Sequence, residues 1–340
     1  MEISFRCPSC RIKLGVEVEY AGRRMYCPKC EEKITIPNAG LGTWTTLGDY
    51  RLQKVVGEGS SGSVYLAQDR SMEKEVAVKV FKKELSQNPV FLEKFQREIK
   101  TIARLAHPNI VAAYKAGTDH DYRYLVMEYV SGGTVEDHVI RHGVFEEKEA
   151  LKITMLVAQS LDYAWTKEHL LHLDLKPENL MLDHNGAVKV TDLGIARCVR
   201  DFDTELSDQI SGTPAYMSPE QATGETDLDF RSDLFSLGGT LYFMLTGKNP
   251  FGDIGVSETL DRVVNEETEN PKNLNPKISD RTVKLINKMM NKDQGKRHHS
   301  WQELTNHLKT DLNSEPEPKR LIIRKHPTEP RIRLTSPEDK

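Results

Sequence analysis

Four of the five cysteines fall within the first thirty residues, as the pairs Cys7-Pro8-Ser9-Cys10 and Cys27-Pro28-Lys29-Cys30, whereas Cys198 stands alone. This spacing constrains the fold more tightly than any other local feature of the chain. Two residues between thiolates let a tight turn aim both sulfurs at one ion, and two such knuckles complete a tetrahedron. A segment of about 38 residues lies below the size at which an apolar core alone usually suffices, so metal binding is expected to supply much of its folding free energy. Four thiolates leave no open coordination position, and the zinc read here is therefore structural. Two disulfides or a redox switch are the other readings of the same residues. No stretch approaches the roughly 18 consecutive apolar residues of a spanning helix, and the sequence starts without an apolar signal core. The expected setting is the reducing cytoplasm, which disfavours disulfides.

The cysteine segment resembles the zinc-ribbon family, in which short strands carry each knuckle; Ile12 to Val16 and Lys33 to Ile36 alternate as such strands would. Residues 1–37 are read as this module, and 38–49, with Asn38-Ala39-Gly40-Leu41-Gly42, as a linker. Arg6, Arg11, Arg23 and Arg24 are interleaved with Glu17, Glu19, Glu31 and Glu32, and the whole chain carries a net charge of -4. These charges read as a solvated mixed-charge surface, so nucleic acid is disfavoured as a partner; a protein partner for the ribbon, or contact with its own chain alone, stays open.

Beyond the linker, Gly57-Glu58-Gly59-Ser60-Ser61-Gly62 is flanked on both sides by strand-forming residues. A dinucleotide-binding turn would need a helix after the glycines, and a P-loop would need Gly-Lys-Ser/Thr. Neither follows, which leaves a glycine hairpin able to lie closely over phosphates. In the next strand, Lys79 shares a face with Ala77 and Phe81. Phe91, Phe95, Ile99 and Ile102 then recur at helical spacing, with Glu98 beside their stripe. A lysine on an apolar face needs an anion, and Glu98 is its expected partner. The run Leu234 to Leu245 is apolar nearly all round, as a helix at the centre of a lobe must be.

His172-Leu173-Asp174-Leu175-Lys176-Pro177-Glu178-Asn179, Asp192-Leu193-Gly194 and Ala215-Tyr216-Met217-Ser218-Pro219-Glu220 follow in order. Together with the glycine hairpin and Lys79, this set resembles the eukaryotic-type protein kinase family, as found in bacteria, over residues 50 to about 310. The resemblance implies an α+β bilobal fold, with a β-rich N-lobe carrying one long helix and a helical C-lobe. The kinase domain is placed at 50–312, and 313–340, rich in proline and charge, is expected to be a disordered tail.

By the same resemblance the activity is that of a Ser/Thr protein kinase, transferring the γ-phosphoryl group of ATP to hydroxyls of protein substrates, itself included. Asp174 would accept the hydroxyl proton and Lys176 would stabilise the transferring group, while Asn179 and Asp192 would hold Mg2+. Lys79, kept in place by Glu98, would meet the ATP phosphates under Gly57, Glu58, Gly59, Ser60 and Gly62. Val64 and Ala77 would cover adenine, with Met127, Glu128 and Val130 forming the hinge. Thr213 would line the substrate site, Glu220 would pair with Arg297, and Asp233 would hold the catalytic-loop backbone.

Three residues depart from the family pattern. Leu173 replaces an arginine that, in relatives keeping it, neutralises a phosphate on the activation segment, so switching through that contact is not expected. Leu193 and Ser218 replace a phenylalanine and an alanine without touching the chemistry. Thr204, Ser207, Ser211 and Thr213 are candidate phosphorylation sites, and Cys198 is read as a small filler residue. A pseudokinase scaffold is the rival reading, opposed by the intact Lys79, Glu98, Asp174, Asn179 and Asp192.

Overall fold

A computed structural model describes residues 2–7, 9–10, 12–17, 20, 24–35, 45–59, 61–119, 122–194, 214–252 and 254–313. Ser60, Cys198, Thr204, Ser207, Ser211, Thr213 and the tail from 314 lie outside them.

Two small hairpins carry the cysteines. Strand β1 (Glu2–Arg6) pairs antiparallel with β2 (Lys13–Glu17), and β3 (Arg24–Tyr26) with β4 (Lys33–Thr35). The sequence predicted strands only after each knuckle; the structure adds a partner before each. Knuckle turns close these hairpins through Cys7 N–H to Ile12 O at 3.0 Å and Cys27 N–H to Glu32 O at 2.9 Å.

A six-stranded antiparallel sheet follows, in the order β5-β6-β7-β8-β10-β9. Its strands are β5 (Thr46–Leu47), β6 (Tyr50–Gly59), β7 (Gly62–Asp69), β8 (Lys74–Phe81), β9 (Ala113–Asp119) and β10 (Tyr122–Glu128). The sheet thus begins inside the segment read as linker, a correction to that boundary. Leu47 is fully buried with Tyr50 and Leu52 and closes one end of the sheet core, so it belongs with the strands and not with a tether. In β8 the period of two holds: Val76, Val78 and Val80 enter that core, while Ala77, Lys79 and Phe81 face the other way.

After α1 (Lys83–Gln87), helix α2 (Pro89–Ile102) starts with Pro89 in its first turn and with Asn88 accepting the Phe91 N–H at 3.0 Å. Its stripe Phe91 and Phe95 packs on Phe81 at the end of β8, with ring centroids 5.7 and 4.7 Å away. Aromatic packing therefore sets where α2 lies against the sheet, and with it Glu98.

The second lobe is helical: α3 (Val135–His142), α4 (Glu147–Glu168), α5 (Pro219–Ala222), α6 (Phe230–Thr246), α7 (Val256–Asn265), α8 (Pro271–Leu274), α9 (Asp280–Met289) and α10 (Trp301–Asn313). A short hairpin of β11 (Leu180–Leu182) and β12 (Val188–Val190) lies between α4 and α5. Every residue of α6 from Ser232 to Leu245 is buried, as its all-round apolar sequence requires, and Gly247 ends it in the left-handed conformation. α10 runs to Asn313, one residue past the predicted end of the folded part. Among the described residues no helix is long and apolar enough to cross a membrane.

Candidate active site

A cleft of about 640 Å³ opens between the sheet and the helical lobe. Its roof is the β6–β7 hairpin, where Gly59 pairs with Gly62. A side chain at Gly62 would put its Cβ 2.0 Å from the Val80 carbonyl oxygen, so only glycine lets the hairpin lie down on β8. Gly57 and Gly59 are unobstructed, which leaves their backbone open to a ligand. Behind the hairpin, Ala77, Val111, Met127 and Val130 form a buried apolar slot, with Val64 and Met181 packed against it. A flat apolar ring fits such a slot.

The floor is the loop before β11. Asp233, on α6, accepts the backbone N–H groups of His172 and Leu173 through its two oxygens, both at 2.7 Å. Burial holds its carboxyl above the usual range, although His172 and these two amides act against that rise. The His172 ring takes the Asp174 N–H on Nδ1 at 3.3 Å and lies 2.9 Å from Thr191 O through Nε2, a pattern that places the ring proton on Nε2. Leu173 has φ +61°, a left-handed conformation that costs an L-residue roughly 1–2 kcal/mol and persists only where its surroundings enforce it.

These restraints present Asp174, Lys176 and Asn179 together. Asn179 Nδ2 donates to Asp174 Oδ2 at 3.0 Å and to its carbonyl at 2.6 Å, and Lys176 Nζ lies 3.3 Å from Asp174 Oδ2. Across the cleft, Lys79 is 5% exposed and its Nζ lies 2.8 Å from Asp192 Oδ1. The contact is a short ion pair whose carboxylate oxygen is buried, with angles outside those of a well-aligned hydrogen bond. Burial alone would raise the Asp192 carboxyl; the ammonium of Lys79, with Lys176 adding to it, outweighs burial and holds it below the usual range.

Asp192 is a carboxylate found against Lys79, with Glu98 nearby. Asp192, at φ +58°, turns its carboxylate to the buried ammonium, whereas Glu98 Oε2 lies beside Gly194, 3.4 Å from where a Cβ on that glycine would sit. A carboxylate and an amide oxygen on Asp192 and Asn179 are the hard donors that Mg2+ prefers, and both residues line the one cleft.

Gly57, Glu58, Gly59, Gly62, Val64, Ala77, Lys79, Met127, Glu128, Val130, Asp174, Lys176, Asn179 and Asp192 all line this cleft. Glu98 does not. Beneath it, Arg297 meets Glu220 in a bidentate pair at 2.7 and 2.9 Å, both side chains almost fully buried. Two polar links were missed in the sequence. Lys189 on β12 pairs with Glu128 at the end of β10 at 3.1 Å, and Gln221 Nε2 donates to the Leu173 carbonyl at 3.0 Å. Met181 was missed as well, although Leu180 and Leu182 alternate with it and point to the core.

In the N-terminal hairpins the four sulfurs of Cys7, Cys10, Cys27 and Cys30 lie within 4.8 Å of one another. The 3.6 Å contacts run between knuckles, Cys7 to Cys30 and Cys10 to Cys27. Burial raises the Cys27 thiol, but backbone donors at Lys29 and Cys30 and the nearby thiols bring it down to about 6. At Cys30 the Glu32 backbone donor lowers the thiol, while burial and the other three thiols carry it up to about 12. Sulfurs that crowd so that one ionises at the expense of the next are a set that a divalent cation can hold together.

A family profile described as "Protein kinase domain" matches residues 50–308. The chain is 34% identical over 269 residues to Serine/threonine-protein kinase PrkC of Bacillus subtilis, covering 79% of this chain and 41% of that protein. It is 36% identical over 274 residues to Serine/threonine-protein kinase PknB of Mycobacterium tuberculosis, covering 78% and 43% respectively. It therefore spans about two fifths of the length of these curated relatives. Among solved structures, the PknI kinase domain of Mycobacterium tuberculosis superposes with a TM-score of 0.64 at 25% identity, covering 80% of this chain and 99% of that one.

Proposed function

Because this chain belongs to the protein kinase domain family, we propose that residues 50–312 transfer the γ-phosphoryl group of ATP to Ser or Thr hydroxyls of protein substrates and of the chain itself. The observation that carries this reading is the convergence of Lys79, Asp174, Lys176, Asn179 and Asp192 on one cleft beneath a glycine hairpin. Phosphoryl transfer asks the protein mainly for positioning and charge neutralisation, and this set supplies both.

In this reading Asp174 orients the substrate hydroxyl and takes its proton. Lys176, 3.3 Å from Asp174, offsets charge on the transferring group, and Lys79 engages the α- and β-phosphates. The slot of Ala77, Val111, Met127 and Val130 takes adenine, and Glu128 and Val130 offer it backbone groups. Asn179 and Asp192 hold Mg2+, which when bound offsets the negative charge of the phosphates. The Lys-Pro-Glu-Asn form of the loop favours Ser and Thr over Tyr, in keeping with the names of the relatives. Thr213 is assigned to the substrate side by sequence alone.

Incubation with labelled ATP and Mg2+ tests this. Asp174→Asn should lower transfer roughly 10²–10⁴-fold and Lys79→Met should act in the same direction, both without unfolding. Equal label in all three proteins overturns the reading.

Residues 1–37 are, in the same proposal, a structural zinc ribbon that docks a protein partner in the cytoplasm. The sulfur cluster supports the metal. Metal analysis should give about one zinc per chain, lost when Cys7 and Cys10 become serine; a folded, metal-free protein would refute it.

A further inference from the structure

Leu173 cannot read a phosphate, yet its backbone is the most restrained part of the cleft floor. The peptide unit joining it to Asp174 is held at both ends: Gln221 Nε2 donates to its oxygen at 3.0 Å, and its N–H, that of Asp174, donates to His172 Nδ1 at 3.3 Å. A peptide unit is planar, so fixing its two polar ends fixes where the Asp174 Cα sits and the axis about which its side chain can turn. The preceding N–H groups are already taken by Asp233. Gln221 is thus the contact that completes the restraint, and it comes from α5, 48 residues along the chain.

The same side chain has a second task. Ser218 N–H donates to Gln221 Oε1 at 3.1 Å and Gln221 N–H donates to Ser218 Oγ at 3.3 Å, a capping box that closes the first turn of α5. The amide oxygen therefore serves α5 while the amide nitrogen serves the catalytic loop. Gln221 is buried, so water does not compete for either bond.

We propose that Gln221 is a positioning residue for Asp174, coupling the substrate-side segment Pro219–Ala222 to the catalytic loop through an uncharged hydrogen bond that needs no phosphate. The inference rests on the phosphoryl-transfer reading above.

The two tasks of Gln221 can be separated. Gln221→Glu keeps the acceptor that Ser218 N–H requires, glutamate being an ordinary capping-box residue, but turns a carboxylate oxygen toward the Leu173 carbonyl. The expected result is a kcat lower by roughly 10- to 100-fold with KM for ATP within about twofold of wild type. The ratio of variant to wild-type kcat should then recover as pH falls, because a protonated glutamic acid regains an O–H donor. Ser218→Ala removes the cap hydroxyl, which also donates to Gln221 Oε1 at 3.2 Å, but leaves the Ser218 N–H on that oxygen and the Nε2 bond to Leu173; it should lower the melting temperature and leave kcat within about twofold.

Gln221→Met, neutral and of similar length, should lose kcat without any recovery in acid. Wild-type kcat in Gln221→Glu overturns the proposal, as does a loss of kcat in Ser218→Ala that matches its own. If both Gln221 variants fail to fold while Ser218→Ala folds, the residue serves stability and the proposal falls. A wild-type chain that transfers no label from ATP sinks the functional reading instead.

Discussion

Among the described residues, the pairs that the buried cations Arg297 and Lys79 make with carboxylates are built to opposite ends. In the helical lobe, the Arg297 guanidinium makes five hydrogen bonds: two to Glu220 and one each to the carbonyls of Arg231, Asn291 and Lys292. Glu220 also accepts the Ser232 hydroxyl at 2.7 Å. At the cleft, Lys79 and Asp192 touch at 2.8 Å, yet the carboxylate oxygen involved makes no aligned hydrogen bond. A buried charge whose every direction is occupied fixes a shape and does little else. One left under-bonded keeps its capacity for a phosphate or a cation, so incomplete satisfaction at the cleft is consistent with a working site.

The contrast can be broken most severely at the saturated pair. Arg297→Met leaves Glu220 buried without its countercharge, and urea unfolding should show a loss of about 3–5 kcal/mol. A loss below about 1 kcal/mol would mean that the brace is no more costly to disturb than an exposed pair.

Acid should weaken the same shoulder more gently. His298, next to Arg297 and fully buried, is held neutral down to about 4 by burial, with Lys288, His307 and His299 adding to the effect and Glu303 opposing it. The unfolded chain takes up that proton below about 6.5. Stability should therefore fall as pH drops from about 6.5 to about 4, by on the order of 2 kcal/mol after allowance for screening. Glu220, lowered by Arg297 against burial, pushes the same way, since its contribution is present at higher pH and is lost as it protonates. His298→Asn should flatten the slope; an unchanged slope would assign the loss to the carboxylates.

The smallest effect belongs to the cleft side. Lys189 holds Glu128 at 3.1 Å, and Glu128 also clasps Ala112, through its own N–H to the Ala112 carbonyl at 2.9 Å and by accepting the Ala112 N–H at 3.3 Å. Lys189→Met should raise KM for ATP about fivefold, corresponding to about 1 kcal/mol, with kcat nearly unchanged. A fall in kcat alone would tie Lys189 to Asp192, three residues on, and not to the hinge.

Much of this site was legible because its residues come in short contiguous motifs. His172 to Asn179 and Asp192 to Gly194 can be read without knowing what faces them. The alternation in β8 likewise placed Lys79 opposite its valines. Partner choice was not legible. That Asp192 comes to 2.8 Å from Lys79 follows from a left-handed turn at Asp192 that no sequence pattern announces. Gln221 and Lys189 reach residues 48 and 61 positions away, across contacts that no local periodicity encodes. Strand β5 has two residues, too few for any alternation to register, and the first strand of each cysteine hairpin is marked only by the partner it meets.

Asp233 has a consequence for how the molecule fails on heating. The amides it holds belong to the catalytic loop, but the carboxylate belongs to a helix buried along nearly its whole length. The loop is thus tied to the central helix, and when that helix melts the floor of the cleft goes with it. Heat should leave a population divided between fully competent and wholly inert molecules, with residual activity counting survivors instead of measuring damage to each.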